Sequence, residues 1–227
     1  QGNTTTNTYD ALGRTTGSTN AKGQTASNAY DAMGRLTKVT DAGGGTILYA
    51  YDKNGNRTTM TEPNGNVTTY TYDALNRLIQ KAEPLGNTHQ YSYDAVGNKT
   101  SLTDAIGNTI NYSYDSNNRL TTTTYPGSST VAFAYDVNGN RTQMADHQGT
   151  STCTYDALNR MVDYTDSFGK ALGYSYDANG NRTSITYPGG KVVTYTYDAQ
   201  NRLKTVTDWL ANVTSYAYNA ADNLTGI

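Results

Sequence analysis

Aliphatic side chains are scarce in this sequence: Val, Ile, Leu and Phe together number 31 of 227 residues, roughly 14%. That share is too thin for an ordinary globular core, and joined to a large net charge it would indicate disorder. Charge of one sign is lacking too, because 17 basic residues face 19 acidic ones for a net of −2. Disorder is therefore not dictated by composition, and so neutral a chain is no partner for a nucleic-acid backbone. One cysteine, Cys153, excludes an internal disulfide and any cysteine-built zinc cluster. No run of about 18 apolar residues exists to cross a bilayer as a helix, and no charged-then-apolar segment begins the chain.

What fills the gap is 21 Tyr, 39 Thr, 24 Asn and 22 Gly. Tyr and Thr favour strands, and Asn and Gly are the residues that best enter left-handed turns. The order of these residues is periodic. Tyr-Asp recurs at Tyr9, Tyr30, Tyr51, Tyr72, Tyr93, Tyr114, Tyr135, Tyr155, Tyr176 and Tyr197, with Tyr218-Asn219 as an eleventh copy. Every spacing is 21 residues except the one of 20 between Tyr135 and Tyr155.

Each copy reads as two short strands and two turns. A second aromatic usually stands two residues before the repeat tyrosine, as at Tyr49, Tyr70 and Phe133, which places both rings on one face of a strand. Four residues after the tyrosine comes Gly or Asn, where a reversing turn calls for positive φ. A second strand follows, such as Arg35–Thr40 or Arg182–Thr186, with an apolar residue nine after the tyrosine in most copies (Val39, Met60, Leu102, Ile185). Another turn closes the unit, as in Glu62-Pro63-Asn64-Gly65 or Tyr187-Pro188-Gly189-Gly190. Nothing holds a helical period over three turns, so the expected fold is all-β: a spiralling antiparallel sheet of stacked 21-residue hairpin repeats. A lone hairpin is marginal in water, whereas a stack is stabilised through its nearest neighbours. In such a stack the tyrosines are expected to lie over one another, each ring pair adding about 0.5–1.5 kcal/mol beyond area burial.

A slower rhythm of 42 runs through the copies. Six residues past the tyrosine, Leu36, Leu78, Leu120, Met161 and Leu203 interleave with Arg57, Lys99, Arg141 and Arg182. The apolar class is expected to face the interior, and the basic class water or a carboxylate. The 20-residue spacing, which falls on Gly149–Cys153, predicts a tighter turn without a register slip, since a slip would invert the faces of the strand.

With Tyr30-Asp31-Ala32-Met33-Gly34-Arg35-Leu36 and Tyr72-Asp73-Ala74-Leu75-Asn76-Arg77-Leu78 as its clearest copies, the pattern resembles the Rhs or YD repeat over nearly the whole chain. That family includes bacterial Rhs polymorphic toxins, insecticidal toxin-complex subunits and teneurins. The resemblance implies a long β-sheet spiralling into a hollow shell, which encloses a toxic domain in the toxins and forms part of an adhesion receptor in teneurins. It also implies a secreted or cell-surface location, most simply bacterial. Residues 1–227 are then eleven tandem YD repeats, a fragment of a longer array, because Leu224 to Ile227 stop partway through a copy.

The repeat signature supplies the candidate site residues: Tyr30, Asp31 and Arg35; Tyr51, Asp52 and Arg57; Tyr72, Asp73 and Arg77; Tyr114, Asp115 and Arg119; Tyr135, Asp136 and Arg141; Tyr155, Asp156 and Arg160; Tyr176, Asp177 and Arg182; Tyr197, Asp198 and Arg202. All nine arginines fall five or six residues after a repeat tyrosine. They could line a charged track, but Asp–Arg pairing that pins register between neighbouring strands is the favoured reading. Asp52-Lys53-Asn54-Gly55-Asn56 and its relatives place oxygens as calcium loops do. They lack the glycine at position six and the bidentate acid at twelve, so an Asn-Gly turn explains them more simply. His89 and His147 have no matching nucleophile elbow. Cys153 stands where other copies carry an aromatic and is expected to be a small buried filler. Tyr125, Phe168, Tyr187 and Trp209 sit at turns, where packing is favoured over stacking on a sugar.

No catalytic, metal or cofactor site is expected. The leading functional reading is a structural wall segment of a shell that encloses and shields a toxin or another polypeptide. The alternative is a cell-surface adhesin or fibre-forming module that binds glycans or proteins. Expected partners are neighbouring repeats of the same parent chain, identical copies end to end, an enclosed toxin domain or a surface glycan.

Overall fold

The computed structural model describes residues 4–227. They divide into two compact units, one ending at Asn111 and the other beginning at Tyr112, a division that falls inside the strand Thr109–Tyr114. Within each unit consecutive strands pair antiparallel, so the all-β antiparallel expectation is borne out. In the first unit Thr46–Tyr51 pairs with Arg57–Thr61, which pairs in turn with Val67–Tyr72. In the second, Ala171–Tyr176, Arg182–Thr186, Val192–Tyr197 and Leu203–Thr207 repeat the arrangement.

The turn after each Tyr-Asp pair is built by its aspartate, and after Tyr218 by Asn219. Asp52 Oδ1 accepts the backbone N–H groups of Asn54 and Asn56 at 2.9 and 2.8 Å, and the Asp52 N–H donates to the Asn56 carbonyl at 2.9 Å. This fixes a three-residue loop in which one residue alone, four after the tyrosine, takes positive φ: Gly55 at 91°, Asn76 at 61°. The Asn-Gly pairs therefore do not form a two-residue hairpin turn, since Asn54 keeps ordinary φ and only Gly55 is left-handed.

A β-bulge follows such loops in copy after copy, and the 21-residue spacing itself gave no direct sign of it. Tyr51 lies opposite Arg57 and Ala50 opposite Thr59, so Thr58 has no partner across the strand. The extra residue turns Arg57 and Met60, three apart, to the face that carries Tyr49 and Tyr51. Both the apolar and the basic members of the 42-residue rhythm thus lie on the tyrosine face. They share a face because of the bulge, yet their exposure differs as expected in part: Arg141 and Arg182 are exposed, whereas Leu78, Leu120 and Leu203 are half-buried. Two apolar positions three apart in one short strand, Leu36 and Val39 or Leu203 and Val206, were the available signal.

The tyrosine face is the better covered one. Thr68, Tyr70 and Tyr72 are buried or half-buried, while Val67, Thr69 and Thr71 on the other face are exposed. Val192–Tyr197 shows the same alternation around buried Val193. Buried side chains among the described residues are Thr68, Thr123, Cys153 and Val193, and none is wholly enclosed. Each unit is cohesive through its hydrogen-bonded ladder and rows of half-covered side chains, which is why so few aliphatics suffice. Asp146 pairs directly with Gly149, leaving His147 and Gln148 as a two-residue loop, and Met144 opposes Ser151 just as Leu102 opposes Ile110. The short spacing is a tighter turn with register preserved, as expected.

Candidate functional site

The signature residues assemble into a clasp between successive copies. Asp31, held by the N–H groups of Met33 and Arg35, presents Oδ2 to Arg35 Nε at 2.7 Å. The guanidinium then reaches the next copy, donating to the Asp52 carbonyl at 2.9 Å and covering the Tyr51 ring at 4.7 Å. That same tyrosine donates its hydroxyl back to the Leu36 carbonyl at 2.7 Å. The pattern recurs at Arg77 with Asp94 and Tyr93, at Arg119 with Asp136 and Tyr135, and at Arg160 with Asp177 and Tyr176. One guanidinium thus joins a carboxylate in its own turn, a carbonyl in the next and an aromatic face.

The intervening copies use different chemistry. Asn56 takes the place of the turn arginine and donates to Asp52 Oδ2 at 2.9 Å, and again to Asn76 Oδ1 in the next copy at 2.7 Å. Asn140 with Asn159 and Asn181 with Asn201 repeat this link at 2.8 and 2.9 Å. The arginine, displaced by one residue to the position opposite the repeat tyrosine, lies over an aromatic two before the next repeat tyrosine: Arg57 over Tyr70 at 4.6 Å, Arg182 over Tyr195 at 5.0 Å. The 42-residue rhythm is therefore an alternation of arginine and asparagine clasps.

Three expectations change. The basic class lies over rings instead of facing carboxylates, as Arg57 and Arg182 show, while Arg182 keeps its exposure to water. Asp–Arg pairs close within one turn at i,i+4, and Arg202 also reaches Asp222 of the next copy; elsewhere the bridge is the second arm of the same guanidinium. The tyrosines are covered by arginines instead of by one another. Among the described residues, Tyr112 and Tyr114 aside, the ring pair that forms is Tyr187 with Trp209, edge-on at 6.2 Å. A guanidinium satisfies a carboxylate and a carbonyl while capping the ring, which a second phenol cannot do.

The electrostatics follow the same geometry. The Arg35 backbone N–H, and then its side chain, hold Asp31 below its ordinary value against the opposing effect of desolvation; Asp73 and Asp115 are held likewise by Arg77 and Arg119. Asp52 is lowered chiefly by the Asn56 side chain. Desolvation raises Tyr72, Tyr93 and Tyr197.

The remaining candidates are placed as follows. The oxygens of Asp52, Asp136 and Asp177 accept protein N–H groups. His89 lies opposite Lys81, which is paired with Glu83, and His147 sits in the two-residue loop. Cys153 is buried opposite Tyr164. Phe168 and Tyr125 are exposed at turns, and Lys191 covers the Trp209 ring at 5.0 Å. Beside Tyr187 a groove of about 500 Å³ opens between Asp163, Gly173 and Thr186.

Comparison with known proteins places this geometry. The family model for the teneurin YD-shell matches residues 2–152, and the RHS repeat matches 135–171, 155–192 and 176–213. No curated protein matches the chain. Among solved structures, the crystal structures of TcdB2-TccC3-TEV and of TcdB2-TccC3 without its hypervariable C-terminal region each superpose over 97% of this chain at 17% identity and a TM-score of 0.66. A Photorhabdus luminescens Tc holotoxin pore gives 17% identity and a TM-score of 0.54. The chain spans 15% of the length of each of these chains.

Proposed function

The chain belongs to the teneurin YD-shell family, a shell-type structural repeat, and from that premise we propose that it forms part of a wall that encloses and shields a toxin or another polypeptide. The observation that carries this reading is the clasp. Its arginine arms, alternating with asparagine links, and its tyrosine arms tie copy to copy at the loop side of the strands, so that a sheet holds together with little core. The signature Tyr, Asp and Arg residues have a holding role on this reading, and no catalytic step is assigned to them. The eleven copies are read as part of a longer array, with neighbouring repeats of the same parent chain as their first partners and an enclosed polypeptide as the second. A secreted or cell-surface location, in a bacterium, fits this use.

Protease protection tests the enclosure. In the full-length parent, a polypeptide segment lying outside the repeats should resist digestion in the native state and become sensitive when Arg77→Ala and Arg119→Ala loosen the wall. Equal digestion in native and double-variant proteins would refute enclosure.

A further inference from the structure

Asparagine followed by glycine occurs four times, at Asn54-Gly55, Asn64-Gly65, Asn138-Gly139 and Asn179-Gly180. The four pairs share one kind of loop. The asparagine keeps ordinary φ, the glycine is left-handed at 83–93°, and its N–H donates to the carbonyl three residues back at 2.9–3.2 Å. What differs is the course of the asparagine side chain. Asn54, Asn138 and Asn179 reach into the next copy, donating Nδ2 to Oδ1 of Asn76, Asn159 and Asn201 at 2.8, 3.0 and 3.0 Å. Asn64 turns back on its own loop, where its Oδ1 accepts the Asn66 backbone N–H at 3.0 Å.

The turn acid is the reason. In the corresponding turns Asp41, Asp104, Asp166 and Asp208 each accept the N–H four residues on with their own Oδ1, at 2.7–2.9 Å. Glu62 is longer by a methylene and leaves that N–H, here of Asn66, to Asn64. A bond from Oδ1 to the N–H two residues on folds the asparagine side chain over the peptide between them, which is that of Gly65. It also polarises the Asn64 side-chain carbonyl and sets a backbone donor at the oxygen that gains charge when Cγ is attacked. Gly65 has no side chain to obstruct the approach, and both residues are exposed to water.

We propose that Asn64 is a self-modification site, at which the Gly65 nitrogen displaces the side-chain amide. The Gly65 nitrogen gives up its proton to water and bonds Cγ; the Cγ–Nδ2 bond breaks, and Nδ2 takes up a proton and leaves as ammonia. A five-membered succinimide remains, which water opens at either carbonyl to give aspartate or isoaspartate. Water is the co-reactant, and no oxidant or reductant takes part. Isoaspartate adds a backbone atom to the loop between the paired residues Thr61 and Val67, and either product sets a second carboxylate near Glu62. In Asn54, Asn138 and Asn179 the link to the next copy holds the amide away from its own loop, so the asparagine clasp also shields the reactive pair that its turn requires. This inference is independent of enclosure.

The full chain is aged at mildly alkaline pH, folded and in urea, and amide-to-acid conversion at each site is followed by peptide mapping with mass spectrometry. In urea the four sites should react at similar rates. In the folded protein Asn64 should react about tenfold faster than Asn54, Asn138 or Asn179, the factor set by one hydrogen bond that must first be broken. Asn76→Gly, which suits the left-handed position, should raise Asn54 toward the Asn64 rate and leave Asn138 and Asn179 unchanged. Glu62→Asp should slow Asn64 by drawing the Asn66 N–H onto the new carboxylate, as in the Asp104 turn. Folded Asn64 no faster than the clasped three, Asn54 unmoved by Asn76→Gly, or Asn64 unmoved by Glu62→Asp would each overturn the proposal.

Discussion

A half-buried tyrosine in a single-layered sheet is held by few atoms, so the identity of those atoms decides its energetic weight. Tyr93 has the Arg77 guanidinium 4.8 Å from its ring centroid and donates its hydroxyl to the Leu78 carbonyl at 2.9 Å. Its replacement by alanine should cost about 2–3 kcal/mol, less than a fully enclosed aromatic because part of the ring is wet. Tyr125, 43% exposed at a turn, should cost under about 1 kcal/mol. Urea unfolding of both variants measures the difference, and equal losses would show that the clasp does not hold the ring. Arg77→Lys should lower the melting temperature nearly as much as Arg77→Ala, because an ammonium cannot serve Asp73, the Asp94 carbonyl and the Tyr93 ring together. Full rescue by lysine would mean that charge alone matters. Acid should act on the same clasps. Asp31, Asp73 and Asp115 have folded pKa values below their ordinary value, so their contribution is present above about pH 4 and is lost as pH falls through the folded values. Tyr72, Tyr93 and Tyr197 are raised, so theirs is present below about pH 10 and lost as pH climbs past it. Thermal melts across pH should show a plateau with a fall at each end; unchanged melting at pH 2 would contradict the acid arm.

At the scale of the element, the loops carry the conformational cost. Each demands a left-handed residue, and glycine or asparagine usually supplies it, with Asn76 and Asn159 doubling as acceptors for the preceding copy. Ser128, Ala211, Asp222 and Leu85 are exceptions, and Leu85 is the apolar one with a long side chain, fully exposed at φ 68° between Pro84 and Gly86. No contact compensates that strain. Leu85→Gly should therefore stabilise the protein by about 0.5–1 kcal/mol, the relief of left-handed strain being reduced by the greater freedom of glycine in the unfolded chain. A lower melting temperature in the variant would show that Leu85 is held by something the turn geometry does not reveal.

For the whole molecule, the outermost strands matter more than any side chain. Thr6–Tyr9 pairs on one side with Thr15–Thr19 and is exposed along its length, and Leu224–Gly226, paired with Ala217–Tyr218, is exposed likewise. Such edges are templates for further strands, and a net charge of −2 offers little repulsion between chains. Exposed apolar loop residues such as Leu12, Ile106 and Phe168 add to the tendency. The 227-residue polypeptide should self-associate with rising concentration in sedimentation velocity. Strictly monomeric behaviour at high concentration would mean that the edge strands do not recruit one another.

The strands, both loops, the residue of positive φ and the 42-residue alternation were all legible in the sequence, because a repeated local pattern states its own geometry once per copy. Tyr51, Asp52, Gly55 and Arg57 announce themselves by recurrence alone. The bulge at Thr58 showed only as apolar positions three apart in neighbouring copies, and the reach of Arg35 to the Asp52 carbonyl and the return bond from Tyr51 to Leu36 were not legible. Those two bonds join residues 17 and 15 positions apart, and which groups meet there depends on a register that the bulge shifts by one residue. The groove at Gly173 is of the same kind. A glycine in a strand is a single letter, and only the pairing of its neighbours places Asp163, Thr186 and the Tyr187 ring around the space it leaves.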